Sequence, residues 1–117
     1  MATSLAIAFV AVLHLLFMVL EMFFWTRPLG RRIFGLSQEL AGKTAALAAN
    51  QGLYNGFLAA GLIWGLLSDQ HATAISTFFL SCVIVAGVFG AITVKRSILF
   101  IQALPAAMAL ALLLLSG

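Results

Sequence analysis

The first apolar stretch of the sequence, Leu5–Trp25, contains two ionisable side chains, Glu21 and His14. Seven residues separate them, which is two turns of a helix, so both point to one side and lie about 10 Å apart along the axis. A charged side chain at membrane depth costs about 2.5–3.5 kcal/mol, and it normally faces protein or a wet cavity where it has a function. We predict Glu21 and His14 as the catalytic or proton-transferring residues, with Glu21 titrating and His14 acting as its relay.

The second apolar stretch, Thr44–Leu67, carries a dense set of amide and hydroxyl side chains. Asn50 and Tyr54 are four residues apart, as are Gln51 and Asn55, so in a helix these four cover an arc of about 140°. Such groups can bind a ligand, and they can equally form hydrogen bonds between helices. We predict that they bind a ligand.

The last apolar stretch adds a further amide, Gln102, three residues before Pro105. Proline removes one backbone hydrogen bond and usually kinks a helix. It frees the carbonyl of Ile101 beside Gln102, where the two polar groups can contact a ligand or water. The predicted ligand-binding residues are therefore Asn50, Gln51, Tyr54, Asn55 and Gln102.

The composition places these residues in a membrane protein. Of 117 residues, 64% are apolar and 8% are charged, whereas soluble domains carry about 25% charged residues. Four apolar stretches reach the roughly 20 residues that cross the hydrocarbon as a helix, and short connections make neighbouring helices antiparallel. The sequence predicts an all-α protein, a single-domain transmembrane up-down four-helix bundle. Its helices are expected at about residues 5–25, 38–67, 72–94 and 97–116.

The basic residues predict the orientation of the chain. They fall only between the first and second predicted helices and between the third and fourth. By the positive-inside rule these connections are cytoplasmic and both termini lie outside, with a bacterial inner membrane as the expected location. The net charge of +3 then reflects orientation and contact with anionic headgroups, and nucleic acid is not an expected partner. The basic residues are Arg27, Arg31, Arg32, Lys43, Lys95 and Arg96.

Depth along the helices predicts which polar groups meet. Counted from the cytoplasmic ends of the stretches, one set lies in the cytoplasmic half of the membrane and another near the midplane. Groups of one depth that avoid lipid should converge, because the helices of a small bundle share one interior. The shallower set, expected to line one cavity open to the cytoplasm, is Glu21, Asn50, Gln51 and Gln102. The deeper set is His14, Tyr54 and Asn55.

Small residues at helical spacing predict where helices pack. Gly52 and Gly56 form a contact surface of the GxxxG type. Gly61 and Gly65 leave room for a ligand or for a large side chain from a neighbouring helix. Cys82 is the single cysteine, so no disulfide, metal site or redox pair is expected.

The first connection, which contains Pro28 and Gly30, is expected to hold a segment lying in the membrane interface. Ser37 is a suitable N-cap for the second long helix. Glu39 and Lys43 form an i,i+4 pair in its first turns.

Four segments resemble the small bacterial and fungal membrane proteins of domain of unknown function family 1304. They are residues 14–25, 49–65, 85–91 and 102–106, and the second, Ala-Asn-Gln-Gly-Leu-Tyr-Asn-Gly, is the most specific. The resemblance spans nearly the whole chain. It implies a four-helix integral membrane protein and implies no particular activity.

Three functions are compatible with these residues. The first is binding or transport of a small hydrophobic or cationic molecule. Transport would require a homodimer, because four helices enclose little volume. The second is an isomerase- or hydratase-like membrane enzyme acting on a lipid or terpenoid-like substrate, with Glu21 and His14 as acid and base. The third is a structural or partner-binding role. No motif predicts a cofactor, and the expected partners are membrane lipids, the small ligand and a second copy of the chain.

Overall fold

The computed structural model describes residues 1–116, and helices make up most of them. No strand occurs among these residues, which confirms the all-α class. The elements are α1 (Ala2–Phe23), α2 (Pro28–Phe34), α3 (Gln38–Leu67), α4 (Ala72–Thr93), a π-helical turn (Leu99–Ala103) and α5 (Leu104–Ser116).

Three helical segments are long and apolar enough to cross a membrane, namely α1, α4 and the continuous stretch Leu99–Ser116. Large apolar side chains such as Val85 and Phe89 are exposed on their exteriors, as suits contact with lipid tails. Helix α3 is the longest at 30 residues, but it is less apolar than the other long helices. The reason is that the amides Asn50, Gln51 and Asn55 interrupt its apolar run.

The first connection contains a short helix, α2, where the sequence predicts only an interfacial segment. Pro28 begins this helix at its first position, where a missing N–H would have had no helical partner in any case. Gly35 ends it with a φ of +65°, in the left-handed region that glycine adopts without steric cost.

The start of α3 follows the sequence-based expectation. The Leu40 N–H donates a hydrogen bond to Ser37 Oγ at 3.1 Å, which confirms Ser37 as the N-cap. Lys43 Nζ lies 3.1 Å from Glu39 Oε1 in the expected i,i+4 ion pair, with both side chains exposed.

The chain divides into two compact units. We call the first the apolar unit, formed by Met1–Val12 and the chain from Leu58 onward, and the second the polar unit, formed by Leu13–Phe57.

One hydrophobic cluster lies at the centre of the apolar unit, and four helical segments contribute to it. The ring of Phe79 on α4 occupies the space above Gly61. A side chain from a neighbouring helix therefore fills the room that Gly61 leaves. A Cβ added to Gly87 would lie 2.7 Å from the backbone nitrogen of Ala103, so the last helical segment approaches α4 at its backbone. The buried cluster consists of Ile7, Val10, Ala11, Leu62, Leu80, Val83, Ala106 and Ala109.

The π-helical turn Leu99–Ala103 lies directly before the proline of the last helical segment. The Leu104 N–H donates to the carbonyl of Leu99, five residues back instead of four. Pro105 follows and has no N–H to offer to the carbonyl of Ile101. The predicted distortion near Pro105 thus takes the form of one widened turn.

Candidate functional site

The polar unit brings the C-terminal half of α1 against the glycines of α3. A Cβ on Gly52 would lie 2.7 Å from Met22 Cγ and 3.1 Å from the carbonyl oxygen of Met18. A Cβ on Gly56 would lie 2.8 Å from Met18 Sδ. The predicted GxxxG surface is thus a contact between α1 and α3, and the two helices run antiparallel there.

At this contact the Glu21 carboxylate meets the Asn55 amide. Asn55 Nδ2 donates a hydrogen bond to Glu21 Oε1 at 2.5 Å, and both side chains are half-buried. Glu21 Cβ would lie 3.1 Å from a Cβ on Gly52, so the missing side chain of this glycine is what admits the carboxylate between the helices.

Residue counting predicts Asn55 at the depth of His14, whereas Asn55 is hydrogen-bonded to Glu21 in the structure. The Cα–Cβ bonds of a helix tilt towards its N-terminus. Gly52 is the residue of α3 that faces Glu21, and Asn55 lies nearly one turn beyond Gly52. Because the two helices are antiparallel, the side chains of Glu21 and Asn55 tilt towards one another and close this distance. A depth obtained by counting residues along the helix axis ignores this tilt of the side chains.

The Glu21 carboxylate has no basic partner among residues 1–116, where the one ion pair joins Lys43 to Glu39. Arg27 is six residues away in sequence, and it does not form an ion pair with Glu21 either. Ionisation of a half-buried carboxyl without a counter-ion carries a desolvation cost that the Asn55 hydrogen bond offsets only in part.

His14 is fully buried in α1. Its ring packs edge-on against Phe17 with a centroid distance of 5.5 Å. It lies two helical turns from Glu21, too far for a direct hydrogen bond between the two side chains.

The remaining predicted ligand residues lie in different settings. Asn50 and Gln51 are exposed on α3. Tyr54 is 55% exposed, and its ring packs edge-on against Phe57. Gln102 is half-buried in the π-helical turn of the apolar unit. The structure therefore joins Glu21 to Asn55, while the predicted cavity of four residues stays a prediction.

A second hydrogen bond fixes the other end of the α1–α3 contact. Trp25 Nε1 donates to Thr44 Oγ1 at 3.0 Å, and Thr44 Oγ1 donates to the carbonyl of Leu40 at 2.7 Å. The Trp25 ring also packs on Phe34 of α2, with a centroid distance of 4.8 Å. Trp25 is expected as an interfacial anchor, but nothing in the sequence identifies Thr44 as its partner.

Two methionines near the carboxylate were not identified by sequence reasoning. Met18 and Met22 lie over Gly56 and Gly52, at the same contact as Glu21 Cβ. Their spacing of four residues is the available signal, but methionine in an apolar helix is ordinary core material. Their position in the structure is defined by the glycines of α3 that they contact.

The fold and the site define a helical protein with several membrane-length segments and a carboxylate–amide pair within one of its helix contacts. A family described as a protein of unknown function, DUF1304, matches residues 8–114, and the chain belongs to this family. The chain is also 28% identical over 87 residues to the uncharacterized protein YpaA of Lactococcus lactis subsp. lactis (strain IL1403), a match that covers 73% of each chain. No solved structure matches the chain.

Proposed function

We propose that this chain is an integral membrane protein that forms an up-down bundle of four transmembrane helices with both termini outside. Three membrane-length segments and the antiparallel contact of α1 with α3 support this arrangement. Helix α3 is long enough to be the fourth span. The basic residues of the first and third connections would then face the cytoplasm.

Cysteine labelling tests this topology in a Cys82→Ser background. Thr26 in the first connection and Asp69 in the second are both exposed, so Thr26→Cys and Asp69→Cys should not disturb packing. A membrane-impermeant maleimide should label the cysteine at position 69 in intact cells and the one at position 26 only in inverted vesicles. Labelling of both from one side would contradict the proposed bundle.

We propose further that the protein binds a small hydrophobic cation at Glu21 in exchange for a proton. The observation that supports it is the half-buried Glu21 carboxylate, which accepts a hydrogen bond from Asn55 and has no basic partner among the described residues. A carboxylate with an amide partner but no counter-ion provides an electrostatic site that either a proton or a cation can fill.

The neighbouring residues have distinct roles in this proposal. Asn55 donates one amide hydrogen bond to Glu21 Oε1, so the carboxylate stays oriented when its proton leaves. Met18 and Met22 offer polarisable, flexible walls suited to hydrophobic ligands of varied shape. Gln51 lies one turn from Asn55 on α3 and is exposed.

Binding of tetraphenylphosphonium, a hydrophobic cation, to protein in lipid vesicles tests this function. Neutral triphenylphosphine is the matched control, because it keeps the rings and lacks the charge. The wild-type protein should bind the cation more weakly as the pH falls, since protons compete for Glu21. Glu21→Gln should weaken cation binding about tenfold or more and remove the pH dependence, because glutamine keeps the volume but cannot carry the charge.

The same experiment can refute the proposal. Glu21→Gln should remain folded, with thermal stability equal to or above that of the wild type, because a carboxylate that lacks a counter-ion in an apolar site is replaced by a neutral amide. Identical pH profiles for the two proteins would show that Glu21 is not the titrating group. Equal affinity for the phosphonium and the phosphine would show that charge does not matter.

A further inference from the structure

One face of α3 carries polar side chains that make no hydrogen bonds within the described part of the chain. They are the amides of Asn50 and Gln51 and the hydroxyl of Tyr54, and all three side chains are exposed. Asn55, on the neighbouring face, is instead satisfied by Glu21. The unpaired groups are thus confined to the side of α3 that turns away from α1.

These groups lie at membrane depth in the proposed topology, on which this inference rests. The Trp25–Thr44 hydrogen bond marks the interfacial level, where tryptophan side chains concentrate. At 1.5 Å per residue, Asn50 lies about 9 Å and Tyr54 about 15 Å beyond Thr44. The hydrocarbon is about 30 Å thick, so Tyr54 lies near its middle. Amides at such depths normally hydrogen-bond to another helix instead of facing lipid.

The chemistry of this face favours a second copy of the same chain. Copies inserted with one orientation are related by a two-fold axis along the membrane normal, which brings each residue opposite its own counterpart at equal depth. A carboxylate or a lysine repels itself in that position, whereas an amide carries both a donor and an acceptor and so complements itself. Exposed Leu47 and Phe57 on the same side of the helix add apolar surface around the amides.

We propose that two copies of this chain associate through the α3 face formed by Asn50, Gln51 and Tyr54, with amide hydrogen bonds across the two-fold axis. The dimer needs only this face of α3, and it does not depend on what Glu21 binds.

Disulfide cross-linking in native membranes tests the geometry. In a Cys82→Ser background, Asn50→Cys should form a disulfide-linked homodimer on mild oxidation. Val85→Cys is the matched control, since Val85 is 68% exposed on α4 and lies about 12 Å from the cytoplasmic end of that helix. We expect cross-linking at position 50 to exceed that at position 85 by about fivefold or more. Equal yields, or a product containing a different membrane protein, would overturn the proposal.

Counting subunits by single-molecule photobleaching in phosphatidylcholine vesicles tests the driving force. Asn50→Leu combined with Gln51→Leu should weaken dimerisation about tenfold or more, since it removes the interhelical hydrogen bonds and keeps the bulk. Asn50→Gln keeps an amide and should dimerise like the wild type. An unchanged dimer in the double leucine variant would overturn the amide contact. Glu21→Gln should dimerise normally, so a failure of cation binding and a failure of dimerisation are distinguishable.

Discussion

The contact of α4 with the last helical segment and the contact of α1 with α3 both include glycines, but different atoms lie against Gly87 and Gly56. In the apolar unit the backbone of Ala103 packs on Gly87. In the polar unit the flexible side chains of Met18 and Met22 reach over Gly56 and Gly52. A backbone cannot move aside, whereas a methionine has three rotatable bonds and adapts to small changes of shape.

This difference indicates how the two regions divide their roles. The apolar unit buries side chains such as Leu62 and Leu80 completely and holds them by close backbone contact, so it should tolerate few changes. In the polar unit, flexible methionine side chains lie at the same α1–α3 contact as the Glu21–Asn55 hydrogen bond. Stability should therefore respond more to an added methyl group at Gly87 than to one at Gly56.

A large loss of stability is expected from Gly87→Ala. The added Cβ would meet Ala103 at 2.7 Å from its nitrogen and 2.8 Å from its Cβ, so a helix must shift, which costs about 2 kcal/mol. Gly42→Ala is the matched control, because no atom lies within 4 Å of its added Cβ and the helix should gain about 0.5–1 kcal/mol. Thermal unfolding in detergent measures both. Equal stability of the two variants would show that the close contact between Gly87 and Ala103 does not restrict the helices.

A smaller loss, about 1–2 kcal/mol, is expected from Asn55→Leu, since it leaves the half-buried Glu21 carboxyl without its donor. Replacing both residues, as Glu21→Leu with Asn55→Leu, should cost less than Asn55→Leu alone, because no polar group is then left unpaired. A double-mutant cycle on unfolding free energies measures this coupling. Additive effects would mean that the hydrogen bond between the two side chains contributes nothing to the polar unit.

Thr44→Val should cost about 1 kcal/mol by removing the acceptor of the Trp25 indole. In a Trp64→Phe background the fluorescence of Trp25 should also change when the indole loses this partner. Thr93→Val is a suitable comparison, because Thr93 Oγ1 bonds only to the carbonyl of Phe89 in its own helix. If Thr44→Val and Thr93→Val behave alike, the Trp25–Thr44 hydrogen bond does not stabilise the polar unit.

The smallest effect is expected from Gly56→Ala, within about 0.5 kcal/mol of the wild type. Its added Cβ approaches Met18 Sδ, which can swing away, and the gain in helix propensity offsets the contact. Thermal unfolding compared with that of Gly87→Ala gives the measure. A loss as large as that of Gly87→Ala would show that the methionines are as rigid as backbone.

Local signals in the sequence predict the helices well. Ser37 and the Glu39–Lys43 pair place the start of α3 correctly, since capping and i,i+4 pairing depend only on near neighbours. The extra helix α2 depends on Pro28 at its start and Gly35 at its end. These signals are also local, but the prediction for this connection is a segment in the membrane interface and does not include a helix.

The site is predicted less completely because it depends on contacts between helices. Glu21 and Asn55 are both identified as site residues, but their hydrogen bond depends on side-chain tilt and on the register of two helices. Neither quantity is encoded in hydropathy. The polar arc of about 140° on α3 is wider than one helix contact covers, which is why Asn50 and Gln51 are exposed while Asn55 is paired.

The π-helical turn Leu99–Ala103 has a consequence for how chains of this family can change in length. A π-turn amounts to an α-helix with one inserted residue, so deleting one residue within it would restore an ordinary turn. Buried Ala106 and Ala109 would still face the hydrophobic cluster. A deletion later in α5 would instead rotate the remaining residues by about 100° and turn buried positions towards lipid. Gaps in alignments of related sequences should therefore concentrate between residues 99 and 103 and be rare beyond them.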